Sequence, residues 1–386
     1  MMQKIAILGS GITGTAVKEK VEELGGFIIV EPEEADLVVA SPGIPPAQYP
    51  DVKAEIISEI EFAYRLMQSG KYGLPPQIIA VSGTNGKTTT TTLAGIILSC
   101  PTAGNIGKPL ISFVGDDNEY IACEVSSYQL ETSPTFKPYI AVLLNLTEDH
   151  LARHGTMQEY CDTKASMVMH QNDDDFFVYN IDDEWLKQIA EIAPGTLVPF
   201  ASETTLGQNY EAVRKVAEIC NIPLDYVEQV FEKFKGVEHR LEKIAVFQGV
   251  KIINDSKATN PDSTIAALES VSEPVILIAG GKDKMCALDK MIDIARQRIK
   301  GLVLYGEAAG RFEQEFISGG IKKDNIYRAD NMGNAVDAAF RLSAQGDTIL
   351  LSPACSSFDL YNNFEERGAD FKNIVEQHIK NAKVPA

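Results

Sequence analysis

The stretch Ile78-Ile79-Ala80-Val81-Ser82-Gly83-Thr84-Asn85-Gly86-Lys87-Thr88-Thr89 constrains this chain more than any other. Apolar or small residues read as a buried strand, a glycine-bounded loop follows, and a threonine-rich run then starts a helix. That order suits a phosphate. Loop N–H groups and a helix N-terminus carry partial positive charge, and glycines let the backbone approach the anion closely. Lys87 adds a full charge for the outer phosphates, and the Thr88 hydroxyl can ligate magnesium. The pattern is a compressed relative of the Walker loop, Gly-x-x-Gly-Lys-Thr in place of Gly-x-x-x-x-Gly-Lys-Thr. A glycine turn joining strand to helix is the plain alternative, but it gives Lys and Thr no reason to follow the second glycine. Nucleoside triphosphate binding is therefore the working frame.

With 386 residues the chain is expected to form two or three domains, each with its own core. A hydrophobic content of 45% fits a globular protein and excludes a largely disordered one. No run approaches the roughly eighteen apolar residues of a membrane span. The N-terminus enters a strand directly at Lys4-Ile5-Ala6-Ile7-Leu8 without a signal-peptide layout, so a cytoplasmic protein is expected. The six cysteines are scattered with no Cys-x-x-Cys pair, which argues against disulfides and a structural zinc site. A formal net charge of −19 argues against nucleic acid or an anionic membrane as partner. A small anionic ligand is still admissible, because exposed charges are screened beyond about 8 Å at physiological salt. Nothing in the sequence asks for an obligate dimer, and a monomer is expected.

Three segments are visible. Residues 1–74 open with a strand, then Gly9-Ser10-Gly11-Ile12-Thr13-Gly14, then a helix through Glu23. Gly9, Gly11 and Gly14 fit the dinucleotide fingerprint, and Glu31, twenty residues after Gly11, suits a ribose. Alone this spells NAD, yet the same loop can hold any diphosphate. Only about three strands are visible here, so a small domain holding the nucleotide-diphosphate part of a substrate is favoured. Residues 75–236 alternate strands and helices, including a helix expected from Met157 to His170 that carries Lys164. Residues 237–386 repeat the alternation. The expected class is α/β with three domains, each a mainly parallel sheet with helices on its faces.

Polar residues collect just after the strands, where open α/β sheets bind ligands. Glu124 and His150 end two strands of the central segment and, with Thr88, could form a magnesium site beside the triphosphate. Arg240 and Lys257 are candidates to clamp a transferring phosphoryl group, with a surface ion pair as the equal alternative. Gly280–Lys284 and Ser352–Ser357 offer N–H groups, hydroxyls and Lys to a carboxylate, although each also reads as an ordinary loop. Cys355 reads as a buried thiol.

Together these stretches resemble the Mur ligases, the ATP-dependent amide-forming enzymes of peptidoglycan precursor synthesis. The resemblance rests on Gly83–Thr89, Gly104-Asn105-Ile106-Gly107, Glu124–Glu131, Asn145-Leu146-Thr147-Glu148-Asp149-His150, His239-Arg240 and Asn254–Asn260. Ser41-Pro42-Gly43-Ile44, Leu351–Asp359 and Asn363-Phe364-Glu365-Glu366-Arg367-Gly368 are most similar to the member that adds D-glutamate to UDP-N-acetylmuramoyl-L-alanine. The motifs follow the family order along nearly the whole chain.

The resemblance implies that the γ-phosphate of ATP passes to the substrate carboxylate and that the acyl phosphate is attacked by the amine of D-glutamate. It implies an ATP site at Gly83, Thr84, Asn85, Gly86, Lys87, Thr88, Thr89, Asn209, Arg240 and Asp255. Catalytic roles fall on Lys87, His150, Lys164, Arg240 and Lys257. Magnesium, as two ions, falls to Thr88, Glu124, His150 and Lys164, the last as a carbamylated lysine. Ile12, Thr13, Ser41, Asn105 and His150 match positions around the UDP-linked substrate, and Thr259, Lys284, Ser357, Phe358 and Phe364 positions around D-glutamate. Because Arg240, Asp255 and Lys257 follow the central segment, domain closure over the phosphates is expected.

The chain departs from the family pattern in three places. Glu31-Pro32-Glu33-Glu34 stands in a shortened connection where the family has its uridine loop. The stretch from Phe200 to Gly207 lacks the length for a hairpin. The His-Asn-x-x-Asn element near adenine is reduced to Gln208-Asn209-Tyr210-Glu211-Ala212. Three rival readings remain: a ligase of the superfamily with another acceptor, an NAD-dependent oxidoreductase built on Gly9–Gly14, and a non-catalytic nucleotide-binding scaffold.

Overall fold

The computed structural model describes residues 2–149, 151–202, 204–234, 236–271 and 274–382, without the side chains of 152, 205 and 206. The chain divides into two compact units, Met1–Phe234 and Lys235–Ala386.

The first unit holds two sheets. The first comprises β1 (Gln3–Leu8), β2 (Phe27–Ile29), β3 (Leu37–Ala40) and β4 (Glu55–Ser58), parallel throughout in the order β2-β1-β3-β4. The fourth strand exceeds the three expected. Only Ile56 and Ile57 are apolar in it, too short a run to stand out in the sequence. The second sheet comprises β5 (Gln77–Ser82), β6 (Thr102–Gly104), β7 (Tyr120–Glu124), β8 (Ile140–Leu143), β9 (Phe176–Asn180) and β10 (Thr196–Phe200). It is also parallel, in the order β10-β9-β8-β5-β7-β6. β5 lies between β7 and β8, so the chain leaves β5 in opposite directions at a topological switch point. The loops after these three strands converge there.

The two sheets share one core. The helix Glu59–Gln68 after β4 carries Phe62, Ala63, Leu66 and Met67 into the same apolar cluster as Leu110, Ile121 and Phe136. Polar contacts reinforce the junction. Ser58 Oγ lies 2.6 Å from Ser133 Oγ, and the buried Glu61 carboxylate accepts from Thr135 N at 3.1 Å.

The helix after Thr156 is shorter than expected, Met157–Ala165 instead of Met157–His170. A capping box between Thr156 and Glu159 starts it. It ends in i→i+3 turns, Met167 N to Lys164 O and Val168 N to Ala165 O. Met167 and Val168 are fully buried, so apolar content extended the expectation while the backbone had already left the helix.

The second unit holds β11 (Glu242–Phe247), β12 (Val250–Asn254), β13 (Val275–Gly280), β14 (Ile299–Tyr305), β15 (Ile326–Arg328) and β16 (Thr348–Leu351). Their order is β11-β12-β16-β13-β14-β15. All pairs are parallel except β11 with β12. That hairpin turns at Gln248-Gly249, both at positive φ (48° and 79°), as a two-residue loop of this twist requires. Buried apolar residues lie on both faces of the sheet, under the helices Asp289–Arg298 and Ala309–Ser318 on one side and Met332–Leu342 and Phe364–Ala382 on the other.

One ionisable group at the junction of the first two sheets is unusually costly. Glu59 is fully enclosed, and its carboxylate accepts from Ile111 N at 2.6 Å. Burial pushes its pKa from 4.5 to about 7, against the opposing hydrogen bond from Ile111. The folded state therefore binds this proton more tightly than the unfolded chain. The associated stability is complete below about pH 4.5 and is lost as pH rises through about 7. Glu59→Gln keeps an acceptor for Ile111 N and carries no charge. We expect thermal or denaturant unfolding to show the variant nearly equal to the parent at pH 5 and more stable by about 2–3 kcal/mol at pH 8. A constant offset across that range would contradict the assignment.

Candidate active site

The phosphate loop is held by residues on three other elements. The helix Lys87–Ile97 begins at Gly86, whose left-handed backbone (φ 90°) provides no side-chain cap, so its first N–H groups are left for an anion. A side chain at Gly86 would collide with Asn209 Oδ1, and one at Gly83 (φ 135°) would sit 3.2 Å from Asn145 O and Leu144 N. Asn145, just past β8, clamps the loop: its carbonyl accepts from Thr84 N at 2.9 Å and its Oδ1 from Asn85 N at 2.8 Å. Its Nδ2 donates to Gln208 Oε1 at 3.2 Å on the helix Thr205–Ile219. Asn209, on that helix, is buried and accepts from Thr90 Oγ1 at 3.3 Å. The structure thus places Asn209 under the loop.

Lys87, Thr88, Glu124 and Lys164 are brought together. Lys87 Nζ donates to Gly83 O (2.8 Å) and Thr84 O (2.7 Å) at the mouth of the loop. Glu124, at the end of β7, is 1% exposed. It accepts from Thr88 Oγ1 at 2.7 Å and Asn105 Nδ2 at 2.8 Å. Lys164, equally enclosed, donates to Ser82 Oγ at 2.8 Å and Gly83 O at 3.2 Å. Burial holds its pKa well below the usual lysine range and the Lys87 charge adds to this, while Asp149 and Glu124 oppose it. Tyr160, one helical turn before Lys164, lies with its hydroxyl 3.2 Å from Thr84 Oγ1. His150 lies outside the described residues.

This donor set fits magnesium beside a triphosphate: a threonine hydroxyl and a carboxylate, on a loop whose glycines leave room for phosphate oxygens. The sequence signals for Asn145 and Gln208 were present inside quoted motifs. Ser82 stands in the opening stretch only as a strand residue and Tyr160 carries no signal, because their roles depend on the Met157–Ala165 helix crossing the end of β5.

Of the residues expected near the UDP-linked substrate, Ile12, Thr13 and Ser41 lie about a second anion-ready helix start. Gly11 precedes the helix Ile12–Leu24 without a side-chain cap. Gly9 (φ 101°) packs so closely on Ser41 that a Cβ would lie 2.6 Å from its hydroxyl. Ser41 Oγ is buried and, among the described residues, has no hydrogen-bond partner. Thr13 is half-buried, and Ile12 is 79% exposed at the mouth. Asn105 is exposed and tied to Glu124, on the second sheet. Arg153, in the short helix Leu151–His154, reaches the loop after β3, donating to Pro42 O at 3.0 Å while paired with Glu131 at 2.5 Å.

The second unit gathers the remaining candidates on turns that follow β12, β13 and β16. Asp255, just past β12, is 4% exposed, accepting from Leu241 N at 3.1 Å and Ser352 Oγ at 2.8 Å. Burial raises its pKa to about 6, opposed by Arg240 and those hydrogen bonds. Lys257 Nζ lies 5.0 Å over the Phe364 ring. Thr259 is half-buried, Lys284 is exposed, Ser357 is buried and Phe358 is 70% exposed. Glu238, His239 and Glu242 also cluster within 4.8 Å, but Lys372 pairs with both carboxylates at 2.7 Å, so this group is an ion-pair network.

Comparison with known proteins places both units in one context. The Mur ligase middle domain matches residues 81–246, and the Mur ligase, glutamate ligase domain matches residues 239–355. The UDP-N-acetylmuramoylalanine–D-glutamate ligase of Clostridioides difficile (strain 630) is 35% identical over 450 aligned positions, covering 97% of this chain and 98% of that protein. The ligase of the same name from Pelotomaculum thermopropionicum is 40% identical over 401 positions, covering 91% and 86%. Among solved structures, MurF of Thermotoga maritima in complex with ADP superposes with a TM-score of 0.65 at 15% identity, covering 99% of this chain and 96% of that one. The UDP-N-acetylmuramate-alanine ligase MurC of Thermotoga maritima gives 0.62 at 16%, covering 99% and 100%. These two likenesses establish the shared three-domain fold.

The Gly86 geometry gives a direct test of the loop. Gly86→Ala forces a Cβ into Asn209 at a left-handed backbone position, a strain of about 1–3 kcal/mol. We expect the variant to lose that much stability and to lose the rise in melting temperature that magnesium-ATP produces in the parent, measured by calorimetry. A variant that still shows the full nucleotide shift would contradict this account of the loop.

Proposed function

The chain belongs to the Mur ligase family, and from that premise we infer that it is an ATP-dependent ligase that adds D-glutamate to UDP-N-acetylmuramoyl-L-alanine in peptidoglycan precursor synthesis. The observation that carries this reading is similarity along nearly the full length to relatives named for that reaction. Residues 1–74 take the UDP-linked substrate, 75–236 take ATP and magnesium, and 237–386 take D-glutamate.

In this reading the substrate carboxylate oxygen attacks the γ-phosphorus of ATP and ADP leaves, giving an acyl phosphate. The amine of D-glutamate then attacks the acyl carbon, loses a proton, and expels phosphate as the amide forms. Such phosphoryl transfer needs positioning and charge stabilisation more than covalent help. Lys87, together with the helix start at Gly86, holds the outer phosphates. Arg240 and Asp255 serve the nucleotide from the second unit, and Lys257 serves the transferring group. Thr88, Glu124, His150 and a carbamylated Lys164 would hold two magnesium ions, which supply positive charge against the phosphate oxygens. Asn209 belongs to this nucleotide site as a support of its loop. Ile12, Thr13, Ser41, Asn105 and His150 take the UDP-linked substrate. The bare helix start at Gly11 and the unpartnered Ser41 hydroxyl support that placement. Thr259, Lys284, Ser357, Phe358 and Phe364 receive D-glutamate, whose two carboxylates suit a lysine and hydroxyls. The enzyme works in the cytoplasm as a monomer. Among the described residues no helix is long and apolar enough to cross a membrane.

Lys164 is suited to carbamylation, because the neutral amine is the form that attacks carbon dioxide, forming an N–C bond and releasing a proton. Its depressed pKa enlarges that neutral fraction. Protein equilibrated with carbon-13-labelled bicarbonate should show a carbamate carbon resonance that Lys164→Ala lacks. Its absence from the folded parent would remove the carbamate from the scheme.

Phosphate release from ATP with UDP-N-acetylmuramoyl-L-alanine and a panel of amino acids tests the function itself. D-glutamate alone should stimulate release, and Lys87→Ala should lower kcat/KM by about a thousandfold. Stimulation by another amino acid would identify a different ligase of the family. ATP binding without product at any substrate level would identify a scaffold.

A further inference from the structure

Arg367 is the largest fully buried side chain among the described residues, at 0% exposure. It sits in the first turns of the helix Phe364–Ala382 and points at two loops distant in sequence. Its Nε donates to Ser256 Oγ at 3.0 Å and its Nη2 to Ser256 O at 2.7 Å. Its Nη1 donates to Cys355 O at 3.0 Å. None of these acceptors is a carboxylate. Enclosing a cation costs several kcal/mol unless its donors find partners, and here two backbone carbonyls and one hydroxyl each accept from a different nitrogen.

The position of these two loops explains why such a group is needed. β12 and β16 are adjacent and parallel, with Asn254 paired to Leu351, and the ladder ends with Asp255 N donating to Leu351 O at 2.7 Å. Beyond that point the chains diverge. One turn carries Asp255, Ser256 and Lys257; the other carries Cys355, Ser356 and Ser357. The guanidinium spans the gap where the ladder stops. The same helix secures a third piece. A side chain at Gly368 would overlap the His239 ring, so that glycine admits His239, the neighbour of Arg240. His239 O in turn accepts from Lys257 N at 3.0 Å, and Ser256 Oγ donates to Phe364 O at 2.8 Å.

We propose that Arg367 is a positioning residue that locks the Asp255–Lys257 turn to the Cys355–Ser357 turn, so that the groups serving phosphoryl transfer and those receiving the amino acid keep one fixed spacing. The assignment of those two duties rests on the ligase reading given above; the mechanical coupling does not. A planar fork with donors on three nitrogens can bind both turns at once, whereas a lysine ammonium at the end of a flexible stem cannot reproduce that geometry.

The test uses Arg367→Lys and Arg367→Met in the full chain with two measurements. Hydrogen exchange, followed at the amides of Lys257, Ala258, Gly280 and Lys282, reads the coupling without any substrate. These amides are bonded into or beside the two turns. In Arg367→Lys exchange at all four should accelerate together, on the order of tenfold, while the Ile276–Ala279 and β14 amides keep the parent's rates. Steady-state kinetics then reads the consequence. KM for D-glutamate should rise and kcat should fall, each on the order of tenfold, with KM for UDP-N-acetylmuramoyl-L-alanine unchanged. Exchange that changes at one turn only or at neither, a uniform fall in kcat with every KM unchanged, or global unfolding of both variants would overturn the proposal. A parent enzyme without D-glutamate-dependent turnover would overturn the ligase reading instead, and the exchange result would still decide the coupling.

Discussion

The phosphate loop depends on two asparagines that supply what its own residues cannot. Gly83 and Gly86 adopt backbone conformations that leave the loop without internal capping, and Asn145 and Asn209 fill the space where side chains would otherwise project. Asn145 binds the loop through its carbonyl and its amide together, so Thr84 and Asn85 hold one conformation before any anion arrives. A loop ordered in advance does not charge the ordering of its N–H groups against phosphate binding. Lys87, the Glu124 carboxylate and the enclosed Lys164 are all bonded to this loop, to the helix it starts or to β5 beneath it.

A second theme is the enclosure of charge. Glu59, Lys164, Asp255 and Arg367 are almost completely removed from solvent. Each carries a desolvation penalty, and two of them show it directly in raised carboxyl pKa values of about 7 and about 6. Natural chains tolerate such penalties where a fixed arrangement matters more than stability. Lys164 lies against the phosphate loop of the first unit, and Asp255 and Arg367 lie at the turns after β12 and β16 of the second. Glu59 lies instead at the junction of the first two sheets, where its bond to Ile111 N joins the helix after β4 to the turn Leu110–Phe113 between β6 and β7.

Much of the architecture was legible because parallel strands buried on both faces leave near-continuous apolar runs, such as Ile140–Leu143 and Val275–Ala279. β4 escaped notice because only two of its residues are apolar, and its place is set by pairing with β3. The helix after Thr156 was overextended because Met167 and Val168 continue its apolar pattern while packing as turns. Asn209 illustrates the same limit at the site. Its identity pointed to the nucleotide, and its surroundings show an amide turned towards Thr90 and Gly86.

The sequence alone determined the chemistry: a glycine-bounded Lys-Thr loop after a strand, acidic and basic residues at strand ends, and a series of motifs in the order of one ligase family. These features depend on neighbours within a dozen residues, so they survive in linear order. Tertiary structure alone decided which distant groups meet. Lys164 reaches Ser82, Asn105 reaches Glu124, and Arg367 reaches Ser256 across 111 residues. Such contacts arise from the closing of sheets and the crossing of helices over strand ends, and no local pattern of residues encodes that distance.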